Sequence, residues 1–236
     1  MSTDWVITRH VARSALRWSG IWGAVFGLFV ISTSQAFAVA YPTLDERIRA
    51  IPSLQSFSIL LGQPYHAETV AGFTQWRVLV VIALIGGVWG ILTSTGLFRG
   101  DEEAGRWELL LARPTTKPRA TAHALIGIGL AVAAMLAITA VFTVVAGRLP
   151  GARFGAGAAL LFALTLVAGA AMFAAIGALT SQLGETRGQA ATLASLTLGA
   201  AYLLRMVADS QSGLGWLRWL TRSDGSRSCT RSATRS

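Results

Sequence analysis

Three adjacent carboxylates, Asp101-Glu102-Glu103, open the stretch of the chain whose residue types could do chemistry, with Arg106 and Glu108 shortly after them. Paired carboxylates beside a cation are the raw material of an acid/base or metal site, provided that further groups converge within hydrogen-bonding reach. The three histidines do not supply that convergence. His10 lies in the N-terminal segment, His66 in the connection after the first apolar run, and His123 at the start of the third run. Cys229 is the one cysteine, so neither an internal disulfide nor a thiolate zinc cluster can form. What the spacing itself supports is ion pairing along a helix face, because Glu102 and Glu103 stand four and three residues before Arg106. Asp101 can cap that helix, the glutamates suit the positive end of its dipole, and Pro114 stops it. Trp107, Leu110 and Leu111 add an adjoining apolar stripe. The spacing therefore predicts a short amphipathic helix over 101–113. Such a helix lies on lipid or inserts into a partner protein. Surface-seeking helices usually carry Lys and Arg on the polar face, and anionic lipid would repel these carboxylates, which favours the partner.

Long apolar runs must position this helix. Only 13% of the 236 residues are charged and 53% are hydrophobic, whereas a soluble domain carries about 25% charged residues. A bilayer crossing takes roughly 20 apolar residues, and five runs qualify: 19–41, 78–98, 121–146, 155–181 and 189–207. The expected fold class is all-α, a polytopic transmembrane helix bundle of about five spans with the short helix between the second and third. A transmembrane domain at 19–208 then sits between an N-terminal segment, 1–18, and a C-terminal segment, 209–236. The first run is too long for a signal-peptide core, and Pro42-Thr43-Leu44-Asp45-Glu46 offers no cleavage site, so it is expected to be retained. Leu44, Ile48, Ile51 and Leu54 have partial helical spacing, which predicts an amphipathic helix on the membrane surface within 44–61. Gly23-x-x-x-Gly27 and Gly86-x-x-x-Gly90 have the spacing that lets helices approach closely in lipid, although glycine is also simply common there. Trp18, Trp22 and Trp76 fit aromatic-belt positions, Arg77 is placed to snorkel, and Arg205 with Asp209 forms a local ion pair at the end of the fifth run.

The net charge of +9 reads as a topology signal and not as a nucleic-acid surface, since Lys and Arg are scattered between apolar runs. The block from Arg99 to Arg119 outweighs the basic residues of the other connections, which predicts a cytoplasmic N-terminus and a cytoplasmic 101–113 helix. Lys117 is the only lysine among 20 basic residues, a bias that fits a GC-rich bacterial genome and hence a bacterial plasma membrane.

The string Glu102-Glu103-x-Gly105-Arg106-x-Glu108-Leu109-Leu110, followed by Arg113-Pro114, resembles the first cytoplasmic loop of ABC-2-type transporter permeases, in particular the antibiotic exporters of the tetronasin type. Gly184-Glu185-Thr186-Arg187-x-x-Ala190, Tyr202-Leu203-Leu204-Arg205 with Asp209, and Gly215-Trp216-Leu217-x-Trp219-Leu220 continue the resemblance as far as Thr221. The resemblance implies that the 101–113 helix is the coupling helix that docks on an ABC ATPase subunit. Glu102, Glu103, Gly105, Arg106, Trp107, Glu108, Leu110, Leu111 and Pro114 are then its docking residues. It also implies ATP-driven export of a hydrophobic drug or antibiotic-like molecule. This chain would hold no cofactor, ATP and magnesium being bound by the ATPase, and a second transmembrane half would complete the pathway.

Consistent with that division of labour, no Gly-x-x-x-x-Gly-Lys-Ser/Thr phosphate loop occurs in the chain. The span centres carry no charges, which argues against an ion-coupled carrier. Intramembrane CAAX-type proteases also pair glutamates near an arginine, but with three residues between and inside a span; here two residues separate Glu103 from Arg106 in a charged connection. A non-transporting membrane scaffold is the other alternative. Residues 222–236 are rich in Arg, Ser and Thr with no large aliphatic side chain. They read either as a basic tail or as the product of a one-base deletion. Restoring a base after the Thr221 codon permits a re-reading that resembles the family's segment before a sixth span.

Overall fold

The computed structural model describes the backbone of residues 3–103 and 117–210, and every structural statement below concerns those residues. Seven helices and no strand are found among them: α1 (Thr3–Ala40), α2 (Leu44–Gln55), α3 (Ser58–Leu61), α4 (Val70–Glu103), α5 (Lys117–Arg148), α6 (Ala156–Leu183) and α7 (Arg187–Ser210). Five of these, α1 and α4 to α7, are long and apolar enough to cross a membrane, which makes the molecule an all-α polytopic bundle. α1 packs along α5 and α4 along α6; α5 touches α6, α1 touches α4, and α7 lies against α4 and α6. The start of α7 and the ends of α4 and α6 gather at one end of the bundle, here the near end. α2, α3, the end of α1 and the start of α4 lie at the far end.

The core runs along the centre through Phe26 and Val30 of α1, Val78, Ile82 and Trp89 of α4, Met135 of α5, and Leu166, Val167 and Ala170 of α6. Lipid gives apolar helices no hydrophobic reason to associate, so close packing must hold them. Both glycine pairs serve that purpose. A β-carbon on Gly23 would stand 2.9 Å from the Met135 carbonyl oxygen, and one on Gly90 would stand 2.4 Å from that of Ala170. Gly27 faces Phe142 and Gly86 faces Phe26 in the same manner. Thr139 adds a polar stitch, donating its hydroxyl to the Gly23 carbonyl at 3.3 Å.

α4 begins at Val70, well before the apolar run at 78–98. Thr69 caps it, its hydroxyl oxygen accepting from the Gly72 N–H at 3.0 Å. The polar types of Thr74, Gln75 and Arg77 conceal these first turns from a hydropathy reading, yet Val70, Thr74 and Trp76 are buried there and only Arg77 is exposed. Trp76 is accordingly not an interfacial belt residue. Its indole is 7% exposed and donates to the Gly62 carbonyl at 2.7 Å, inside the far-end connection. Trp18 is 60% exposed, as a belt position requires.

The surface helix expected within 44–61 is two helices. Thr43 and Glu46 form a reciprocal capping box at the start of α2. Pro52 cannot donate into that helix, and the chain turns at Ser56 and Phe57 before α3. α2 buries none of its residues; Leu44 and Ile48 are exposed, Ile51 and Leu54 half-buried. Arg47 ties it back by donating from Nε to the Tyr41 carbonyl at 2.8 Å and lying over the Phe37 ring. Phe37 stacks on Phe73 with ring centroids 3.8 Å apart, closing the far end between α1 and α4.

Candidate functional site

Asp101 was expected to cap a separate helix; instead its backbone is helical and α4 passes straight through it. Gly96–Gly100 form a π-helical turn, in which the Asp101 N–H reaches the Gly96 carbonyl. Such a turn takes one residue more than an α-turn, which rotates everything beyond it by about 100°. Phe98 thereby stays in the core against Ala124, Ile128 and Ala174, while the residues that follow turn toward the connection between α6 and α7. Upstream, Ser94 and Thr95 fold their hydroxyls onto the Gly90 and Ile91 carbonyls at 2.8 and 2.7 Å, so these buried polar atoms are satisfied within α4.

The charged groups of the near end are shared between two connections. Arg99 Nε donates to the Gly184 carbonyl at 2.7 Å, and its Nη1 meets Glu102 Oε2 at 2.7 Å. One turn further, the Glu103 carboxylate accepts the backbone N–H of Arg187. The Arg187 side chain returns over the π-turn, where a β-carbon on Gly100 would stand 3.1 Å from its Cδ, a tight contact that the arginine would have to shift to relieve. Thr186 caps α7, its hydroxyl oxygen accepting from the Gln189 N–H at 3.2 Å, and Gln189 Oε1 accepts from the Glu185 N–H at 3.0 Å.

The electrostatics of this clasp follow from helix ends. The carbonyl of Gly184, the extended residue that follows α6, receives a guanidinium; the first N–H groups of α7 form the positive end of a dipole and receive a carboxylate. The latter placement is worth about 0.3–1 kcal/mol at an exposed site. Glu102 is half exposed and its pair with Arg99 spans one helical turn, an arrangement that contributes a few tenths of a kcal/mol. These carboxylates are anchors.

Of the residues proposed for docking, the structure brings Glu102 and Glu103 into the clasp, whereas Gly105, Arg106, Trp107, Glu108, Leu110, Leu111 and Pro114 lie outside the described residues. The pairing partners found are Arg99 for Glu102 and the Arg187 N–H for Glu103. Sequence reasoning read Arg99 as a topology signal and Gly184, Thr186 and Arg187 as part of the family resemblance, and assigned a contact to none of them. The signal available was the spacing Thr186-x-x-Gln189, a helix-start signature. Nothing local tells which carboxylate 84 residues away will sit on that start.

A second set of ties closes the far end. Tyr202 Oη donates to the Leu60 carbonyl at 3.0 Å, Arg205 Nη2 to that of Leu61 at 3.0 Å, and Trp76 Nε1 to that of Gly62 at 2.7 Å. Arg205 thus serves the α3 connection; the side chain of Asp209, its expected partner, lies outside the described residues.

An all-helical bundle with five helices of membrane-spanning length and apolarity is the build of a multi-pass membrane protein. The family model described as ABC-2 family transporter protein matches residues 5–211, and the chain belongs to that family. Members are the transmembrane component of an ABC transporter, generally not the catalytic part, and normally partner with an ABC ATPase. No curated protein matches the chain.

Proposed function

We propose that this chain is the permease of an ATP-driven exporter in a bacterial plasma membrane, with the near end cytoplasmic and a hydrophobic drug or antibiotic-like molecule as substrate. The observation that carries this reading is the unbroken course of α4 from the centre of the bundle into the acidic segment, together with the clasp that joins its exit to the α6–α7 connection. A push on residues 104–113 would enter α4, α6 and α7 together. Glu102, Gly105, Arg106, Trp107, Glu108, Leu110, Leu111 and Pro114 meet the ATPase in this reading. Glu103, whose carboxylate is engaged by α7, holds the near end in shape for them. The ATPase binds ATP and magnesium, and a second transmembrane half completes the pathway.

An ABC ATPase reading frame is expected beside the gene, and co-expression with its product tests the docking. The chain should retain that ATPase through purification, and Leu110→Asp, which turns an apolar anchor into an unpaired charge, should weaken retention by at least about tenfold with insertion unchanged. Undiminished recovery with Leu110→Asp refutes the docking surface. Orientation is read separately with Ser53→Cys and Thr115→Cys, each combined with Cys229→Ser to remove the native thiol: an impermeant reagent on intact cells should label only the first. Labelling at Thr115→Cys alone would invert the topology.

A further inference from the structure

We infer that α7 is a tie rod, coupling the clasp at the near end to the loop that covers the far end. It is the least enclosed of the five spans, with 11% of its apolar window buried against 56% for α4. Its seam is made mostly of alanine: Ala194 is fully buried and Ala191 and Ala201 are half-buried against Ile91 of α4 and Phe173 of α6, and Ala190 is fully buried beside Gly184. One larger side chain, Leu198, sits over Gly87 of α4, where a β-carbon would stand 3.0 Å from its Cδ1. To this narrow seam the two ends of the helix add polar ties. Glu103 holds the first N–H of α7, and Tyr202 and Arg205 hold the carbonyls of Leu60 and Leu61.

Those two carbonyls, with that of Gly62, are the orphan acceptors at the C-terminal end of α3. The third is taken by Trp76 of α4. The loop is therefore fastened to α4 through Trp76 and to α7 through Tyr202 and Arg205. At the near end α4 and α7 are fastened directly. Between the attachments runs an uninterrupted helix without proline, from Arg187 to Arg205, about 27 Å at 1.5 Å per residue. A helix of that length moves as a body. Displacing α7 at the clasp must then load the loop ties, and releasing the loop must loosen the clasp. Coupling of this kind is reciprocal by thermodynamic necessity. In the exporter it would let the ATPase end open the far-end cover. The inference extends the permease reading, but its test needs no ATPase, so either can fail without the other.

Hydrogen exchange on the full chain in lipid nanodiscs measures both ends at once. The Leu60, Leu61 and Gly62 amides are hydrogen-bonded within the loop, and the Ala190 amide is bonded to the Thr186 carbonyl. Glu103→Ala, which removes the acceptor, should accelerate exchange at 60–62 by on the order of fivefold, the lower edge of usual coupling between sites. Arg205→Gln should accelerate exchange at 187–190 in return. Glu102→Ala loosens the same near end by removing the partner of Arg99 and should leave 60–62 unchanged. Faster exchange confined to the mutated end overturns the tie rod, and so does an equal far-end response to Glu102→Ala. If Glu103→Ala does not insert, the Arg205→Gln arm decides alone by the same criterion at 187–190.

Discussion

α4 and α7 are both apolar membrane-length helices, yet they are held by opposite means. α4 is locked along its length, where Gly86 and Gly90 admit the Ala170 backbone and the Phe26 ring at distances that leave no space for a side chain. α7 rests on alanines and a single leucine, Leu198 over Gly87, and is fastened by polar ties at its ends. In lipid, hydrophobicity does not separate these cases; the depth of interlocking does. A bundle that must change shape benefits from having both kinds, one helix to keep the frame and one to travel.

Glycine replacement is the most severe way to break this contrast. Gly90→Leu drives a side chain into the α6 backbone and should prevent recovery of folded protein, the overpacking exceeding about 3 kcal/mol. Gly199→Leu, on α7, meets nothing within 4 Å and should shift stability by no more than about 0.5 kcal/mol. Detergent unfolding curves of the two variants provide the comparison, and equal losses would erase the distinction. An intermediate effect is expected from Trp76→Phe. It keeps the buried ring but leaves the Gly62 carbonyl without its donor, costing about 1 kcal/mol in the same assay and raising exchange at the Gly62 amide. Glu102→Gln is the gentlest probe. It removes a partly exposed one-turn ion pair, so a loss of about 0.3 kcal/mol is expected, and it should vanish in 1 M salt. A larger, salt-insensitive loss would mean that Glu102 supports more than Arg99.

What could be read in the sequence follows the same division. Apolar runs mark all five membrane-length helices, because lipid demands long uncharged stretches. The glycine pairs forecast the tight seams. The ends of the helices were less legible. Asp101 looks like a fresh cap, and a π-turn that keeps the helix going has no sequence period of its own. Trp76 has the residue type of a membrane-surface anchor, and only the chain passing over it makes it an interior donor. The clasp itself joins segments 84 residues apart through groups that are polar in any setting.

The ties share one property: on one side each ends at the main chain. Arg99 reaches the Gly184 carbonyl, Glu103 the Arg187 N–H, and Trp76, Tyr202 and Arg205 the carbonyls of Gly62, Leu60 and Leu61. A main-chain carbonyl is present whatever residue stands at its position, and a main-chain N–H at every residue but proline. The receiving connections can therefore drift in sequence without unfastening the bundle, and no paired substitutions need accompany the drift. Correlated mutation between these connections is for that reason a poor guide to their contact. Each tie is inherited through a single side chain, so one codon change is enough to lose it and one to bring it back.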